Sequence, residues 1–346
     1  MRNRTSHPWA KLRSEEPTNS KPVLQGVRPS FTSIQTLVLA FLVIGLSSQG
    51  TAQTNTGETV IEKATEQFES SPLKTTSLGE GLFMFSGDGG NVTAIVDDGS
   101  TLLIDSGIDS RVTELSQAIL KTTMRPVTQL VSTHWHFDHI GGNVYFGSEG
   151  VSIIAQENVK KRLSSVQDVP FVGLRDGQYP PQAIPAVTYS SSMTLNKSSQ
   201  RLTLANYGSA HTDGDTVIYI TPANIVVVGD IFSNHFYPII DLASGGSVDG
   251  MIHSLDQILA QTDEQTKIVP GHGPVATRAD LEDYRDMLVQ IRQRIQALIA
   301  AGKTIDEAVA ATPTKDFDGK WGGGYVPSDV FTKMVFSSLN GSGGSH

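Results

Sequence analysis

Residues 132–143 read STHWHFDHIGGN, and His134, His136, Asp138 and His139 fall within six positions of that run. Few folds can use such a cluster. Imidazole nitrogen and carboxylate oxygen are the donors that zinc and similar divalent ions take. The apolar pair Leu130 and Val131 precedes the run and Gly141 and Gly142 follow it, so it reads as a loop leaving the end of a buried strand. On such a loop His134 and His136, two apart, point to one side, while Asp138 and His139 turn toward a second point. That arrangement suits a pair of ions better than a single one. A lone histidine beside an apolar segment is more often a structural residue, but three of the chain's nine histidines crowd this window. Metal binding is the stronger reading.

Two ions need further donors, and these should lie far away in sequence at similar strand-end positions. Three places qualify. His211 sits in AHTDGD (210–215), just before an expected strand. Asp230 ends the β-branched run 226–228 after Gly229, and His272 stands between glycines in IVPGHG (268–273). Glycine there lets the backbone turn sharply and bring a donor close. Each position alone is an ordinary loop residue; the joint pattern is specific.

With these motifs in this order, the chain resembles the metallo-β-lactamase fold superfamily, from about residue 81 to about residue 273. The resemblance implies an α/β fold, an αββα four-layer sandwich. It implies that His134, His136 and His211 hold a first ion, that Asp138, His139 and His272 hold a second, and that Asp230 bridges them. Two divalent ions are expected, zinc foremost, with iron or manganese as alternatives. Asp105 stands where the family keeps an aspartate behind its metal ligands; a turn after a strand would explain it equally well. A carboxylate at Asp230 resembles the dinuclear glyoxalase II-like hydrolases. The broad-spectrum β-lactamases carry a cysteine there, and this chain has none. His136 in place of glutamate argues against the flavodiiron reductases.

The expected reaction is zinc-dependent hydrolysis of a small molecule at a carbonyl carbon (ester, thioester, lactone or β-lactam). Hydroxide available near neutral pH would attack, and Asp138 would orient it as the catalytic residue. The alternatives are an iron-dependent persulfide dioxygenase-like enzyme and a non-catalytic metal-binding protein on the same scaffold. His235 and Tyr237, shortly after Asp230, are expected substrate contacts that donate to a carbonyl or carboxylate; packing of their loop is the competing reading.

Charge narrows the partners. The first 52 residues hold six Lys/Arg and two Asp/Glu, which leaves 20 basic and 33 acidic residues in the remainder. So acidic a protein is a poor nucleic-acid binder; a small-molecule substrate is expected, and nothing specifies an oligomeric state. Residues 37–46 are apolar, preceded by six basic residues and followed by small ones at 50–52. That is the layout of a secretory signal peptide within 1–52, too short for a usual membrane span of about 20 residues. Export to the periplasm or the medium is expected, with no other membrane contact. A flexible tether is expected over 53–72, the hydrolase domain over 73–340 and a flexible tail over 341–346. Without cysteine there are no disulfides, so the core alone must stabilise the fold.

Alternation and turn residues predict strands at 82–85, 91–96, 101–104 and 152–155, and a second sheet from 187–189, 193–195, 202–207, 216–221 and 225–229. Helical spacing predicts helices at 111–121, 156–165, 249–261, 277–300, 304–311 and 328–339. Residues 170–185, with four prolines, read as a loop.

Overall fold

Thr59 opens the residues described by the computed structural model, 59–87 and 89–341, and it opens a helix. Its hydroxyl accepts from the Glu62 amide while the Glu62 carboxylate accepts from the Thr59 amide. This reciprocal cap satisfies backbone donors that a helix start otherwise leaves bare. The helix, α1 (Val60–Ser70), buries Val60, Ala64 and Phe68, which are four apart and share one face. Within the expected tether over 53–72, residues 60–70 are therefore helical, while 53–58 lie outside the described residues. The Thr-x-x-Glu cap and the i, i+4, i+8 apolar spacing are the physical reasons. The expected signal segment and residues 342–346 of the tail lie outside the described residues. Among the described residues no helix is long and apolar enough to cross a membrane.

Four antiparallel strands follow: β1 (Lys74–Gly79), β2 (Leu82–Ser86), β3 (Val92–Asp97) and β4 (Ser100–Ile104). The chain then crosses over through α2 (Val112–Thr123) to β5 (Val127–Val131), which pairs parallel with β4. The histidine run after β5 contains a short turn of helix, α3 (Phe137–Ile140), and leads into α4 (Asn143–Ser148). Next come β6 (Ser152–Gln156), parallel to β5, then α5 (Glu157–Leu163) and a two-stranded hairpin of β7 (Val166–Val169) and β8 (Leu174–Gly177). β9 (Val187–Tyr189) pairs parallel with β6 and completes a seven-stranded sheet. Two expectations change here. Residues 170–185 are not all loop, and 187–189 joins the first sheet rather than the second.

The second sheet has five strands: β10 (Ser192–Asn196), β11 (Arg201–Ala205), β12 (Val217–Thr221), β13 (Ile225–Val227) and β14 (Lys267–Val269). α6 (Val248–Leu259) carries the chain from β13 to β14, and that pair is parallel. Then follow α7 (Arg278–Ala300), α8 (Ile305–Ala310), α9 (Asp318–Trp321) and α10 (Ser328–Leu339).

Side-chain alternation along each strand makes two faces, and each face finds a partner. Leu102, Ile104, Val131 and Ile154 of the first sheet meet Leu204, Ile218, Ile220 and Val269 of the second. The outer face of the first sheet, Ala94, Leu103, Leu130 and Ile153, packs on Leu115 and Ile119 of α2. The outer face of the second, with Val226 and Ile268, packs on Leu255, Leu288 and Val335 of α6, α7 and α10. Helices, sheet, sheet, helices: this is the expected αββα sandwich. In the parallel pairs Ile104 lies opposite Val131, and Val227 opposite Val269. Within each sheet these strands end in step, so their following loops emerge side by side.

Candidate metal centre

Those loops meet at one place. Donor atoms of His134, His136, His211 and Asp230 all lie within 4.8 Å of one another, and so do those of Asp138, His139 and His272. Asp230 reaches across both groups: its Oδ1 is 3.0 Å from His139 Nε2, and its Oδ2 is 3.5 Å from His272 Nε2 and 3.7 Å from His211 Nε2. All seven are buried, with no residue more than 7% exposed. Close approach is built into the backbone. A Cβ on Gly271 would lie 1.9 Å from Asp230 Oδ1, and one on Gly90 would lie 2.1 Å from the His139 ring.

The far side of four imidazoles is held. His134 Nδ1 is 3.0 Å from Thr133 Oγ1, His136 Nε2 is 3.1 Å from Asp241 Oδ2, His139 Nδ1 is 2.8 Å from Asp105 Oδ2, and His211 Nδ1 is 2.7 Å from the Ile239 carbonyl. Carbonyls and carboxylates there fix the tautomer and leave a lone pair pointing inward, the usual support for metal-binding histidine. Thr133 also donates its amide and hydroxyl to Asp105, at 2.7 and 2.8 Å. Asp105 takes a left-handed backbone (φ 64°) to receive them, a strained conformation of the kind that gathers at functional sites. Asn91 joins the loop of His272 to the first sheet, its Nδ2 donating to the Pro270 and Gly273 carbonyls at 2.9 Å each.

The inward atoms test whether a cation fits. His134 Nε2 is buried and has no hydrogen-bond partner. His136 Nδ1 faces His211 Nε2 at 2.9 Å. With their far nitrogens held by Asp241 and the Ile239 carbonyl, these two nitrogens face one point without an outside partner, and a cation that displaces the proton of His136 would find lone pairs there. A buried group left so costs about 1–3 kcal/mol, and a divalent ion among these atoms would remove that cost. The residues fit a pair of metal ions.

Electrostatics agree with that fit. Burial, joined by the charges of His139 and His211, holds His134 well below the ordinary histidine range. Burial and the charge of His136 push His211 down to about 4. Burial also opposes charge on His139 and His272, but the surrounding aspartates outweigh it: His139 stands well above its ordinary value and His272 is raised to about 9. Burial would raise Asp230, yet His272 and His139 hold it well below the carboxylate range. The metal-free centre thus stores protons where positive ions belong.

Of the two expected substrate contacts, neither lines this centre. Tyr237 is buried in the core, stacked on Phe331 at 4.7 Å, with its hydroxyl donating to Asp318 Oδ1 at 2.8 Å. Its loop turns inward because the following residues, Ile239 and Ile240, are apolar and buried. His235 is exposed and lies against Trp321 at 6.1 Å. The intervening Phe236 faces the cavity beside His272 instead. Sequence reading also missed Asp241, Thr133 and Asn91 as supports and Phe68 and Tyr325 as covers. Asp241 had a signal, a carboxylate inside an apolar run, and it is fully buried.

Comparison with known proteins places the site in context. Residues 86–294 match the sequence profile of the metallo-beta-lactamase superfamily. The chain is 23% identical over 201 residues to a metallo-beta-lactamase type 2 of Bacteroides fragilis, covering 58% of this chain and 75% of that protein. It is 22% identical over 200 residues to the type 2 enzyme of Bacillus cereus, covering 54% and 68%. A solved metallo-beta-lactamase from Pontibacter korlensis superposes with a TM-score of 0.52 at 20% identity, over 63% of this chain and 99% of that one. At such identity the superposition speaks for the fold alone.

Proposed function

The chain belongs to the metallo-β-lactamase superfamily, and on that premise we propose that it hydrolyses a carbonyl-centred bond of a small molecule at two zinc ions. The convergence of two donor groups that share Asp230 carries this reading. His134, His136 and His211 would hold one ion, Asp138, His139 and His272 the other, with Asp230 touching both. When bound, such a pair polarises a carbonyl and lowers the pKa of water toward neutrality.

The protein's own residues supply the rest. Asp241 and Asp105 keep the rings of His136 and His139 turned inward. Asp138, its Oδ2 3.1 Å from His272 Nε2, keeps a carboxylate edge open to the pocket above the donors. It would accept the proton of the attacking water and return it to the leaving oxygen, sulfur or nitrogen. Water oxygen bonds to the carbonyl carbon and the carbon–heteroatom bond breaks: an open ester or thioester gives an acid and an alcohol or thiol, and a lactone or β-lactam gives one ring-opened acid that keeps the new hydroxyl or amine. Ester, thioester, lactone and β-lactam all satisfy this scheme, and the likeness to two metallo-beta-lactamases supports keeping β-lactams among them. The apolar segment at 37–46 supports export.

The test is metal analysis with a substrate panel. The zinc-loaded protein should hold two ions per chain and turn over at least one of a chromogenic cephalosporin, a lactone, a thioester and an aryl ester. Asp138→Asn should cut that turnover by about a hundredfold or more. One iron per chain with oxygen consumption, or undiminished turnover in the variant, would overturn the proposal.

A further inference from the structure

The space directly above the donor atoms is small. Bounded by His136, Asp138, Asp230, Phe68 and Tyr325, it measures about 10 Å³, room for roughly one water. Beside it lies a cavity of about 470 Å³ that reaches His272, within the span of about 300–1,000 Å³ usual for small-molecule sites. Phe68, Met84, Phe236, Pro274, Val275 and Tyr325 give this cavity an apolar wall. Phe68 and Tyr325 border both spaces and stand between them.

We propose that the larger cavity receives an apolar, ring-sized portion of the substrate and that Phe68 determines how large a group reaches the metal centre. Phe68 lies flat on His272, with ring centroids 5.5 Å apart and planes 7° from parallel. Tyr325 meets Phe68 edge-on at 5.9 Å and His272 edge-on at 5.6 Å. The helix beneath Phe68 is fixed: Arg111 Nη1 donates to the Phe68 and Ser71 carbonyls, both at 2.7 Å. With α1 tied down, the size limit at this point is set by the Phe68 ring rather than by the helix. Both aromatic residues fall outside the stretch 86–294 that matches the superfamily.

The inference rests on the metal reading, and its test separates the two. The full chain is loaded with cobalt(II), and binding of three thiols is followed through thiolate-to-cobalt absorption: 2-mercaptoethanol, phenylmethanethiol and naphthalen-2-ylmethanethiol. Wild type should bind phenylmethanethiol about tenfold tighter than 2-mercaptoethanol. Phe68→Ala should tighten the naphthyl thiol by about tenfold while leaving 2-mercaptoethanol nearly unchanged. Val275→Phe, which adds a ring to the cavity's lining, should erase the preference for the phenyl thiol. If Phe68→Ala does not fold, the Val275 variant decides alone. Equal shifts for all three thiols in Phe68→Ala, or an intact preference in Val275→Phe, overturn the partition while the metal reading stands. Failure to take up cobalt overturns both.

Discussion

Asp241 shows how much of a metal site lies in residues that never touch metal. Its carboxylate is fully buried, and beyond His136 it accepts the Ser244 amide at 3.0 Å. Burial opposes its charge, but His136 holds it below the ordinary carboxylate range. Asp241→Ala would free the His136 ring to rotate and present the wrong nitrogen. Zinc affinity should fall by about 10–100-fold, read by competition with a chromophoric chelator; an unchanged affinity would remove Asp241 from the site. The run His134 to His139 is legible because its donors are neighbours in sequence. Asp241 is not, because 105 positions separate it from His136 and only folding joins them. Asp105 lies between these cases: resemblance named it, but its bonds to Thr133 and His139 depend on the left-handed backbone after β4.

Among the elements, α1, with eleven residues, lies over the site through Phe68. Its two ends are tied. The Ile61 amide donates to the Val172 carbonyl in the β7–β8 hairpin at 3.1 Å, and Arg111 holds the last turn. Arg111→Ala leaves the carbonyls of Phe68, Ser71 and Gly87 without that donor. The fold should lose about 1–3 kcal/mol by denaturant unfolding, and α1 amides should exchange faster with solvent. Unchanged exchange would show that packing alone fixes the helix. Long periodic elements were readable: α10 has the bounds expected, and α7 begins one residue later than expected. Short strands were not. β9 has three residues, too few to announce a partner, and its pairing with β6 depends on the intervening α5 and hairpin.

The whole molecule explains why the donors are so dispersed. The first sheet supplies His134 to His139 from the loop after β5, and the second supplies His211, Asp230 and His272. Bound ions would stitch the two halves together, so chelation should lower the melting temperature. Linkage sets a further sign. His272, raised to about 9, lies above the ordinary value near 6.5. Its contribution to metal-free stability is present in full below about 6.5 and is lost as pH rises through about 9. Denaturant melts of chelated protein should weaken between those limits, whereas zinc-loaded protein should lack that decline. A flat profile for the chelated form would contradict the stored protons. The αββα layering came from resemblance, and the core patterns of both sheets agree with it. The arrangement of α1 has a practical corollary for anyone shortening the gene. A version starting at Leu73 would retain every donor yet lose its roof, giving a catalyst easily stripped by chelators and indifferent to the bulk of what it cleaves.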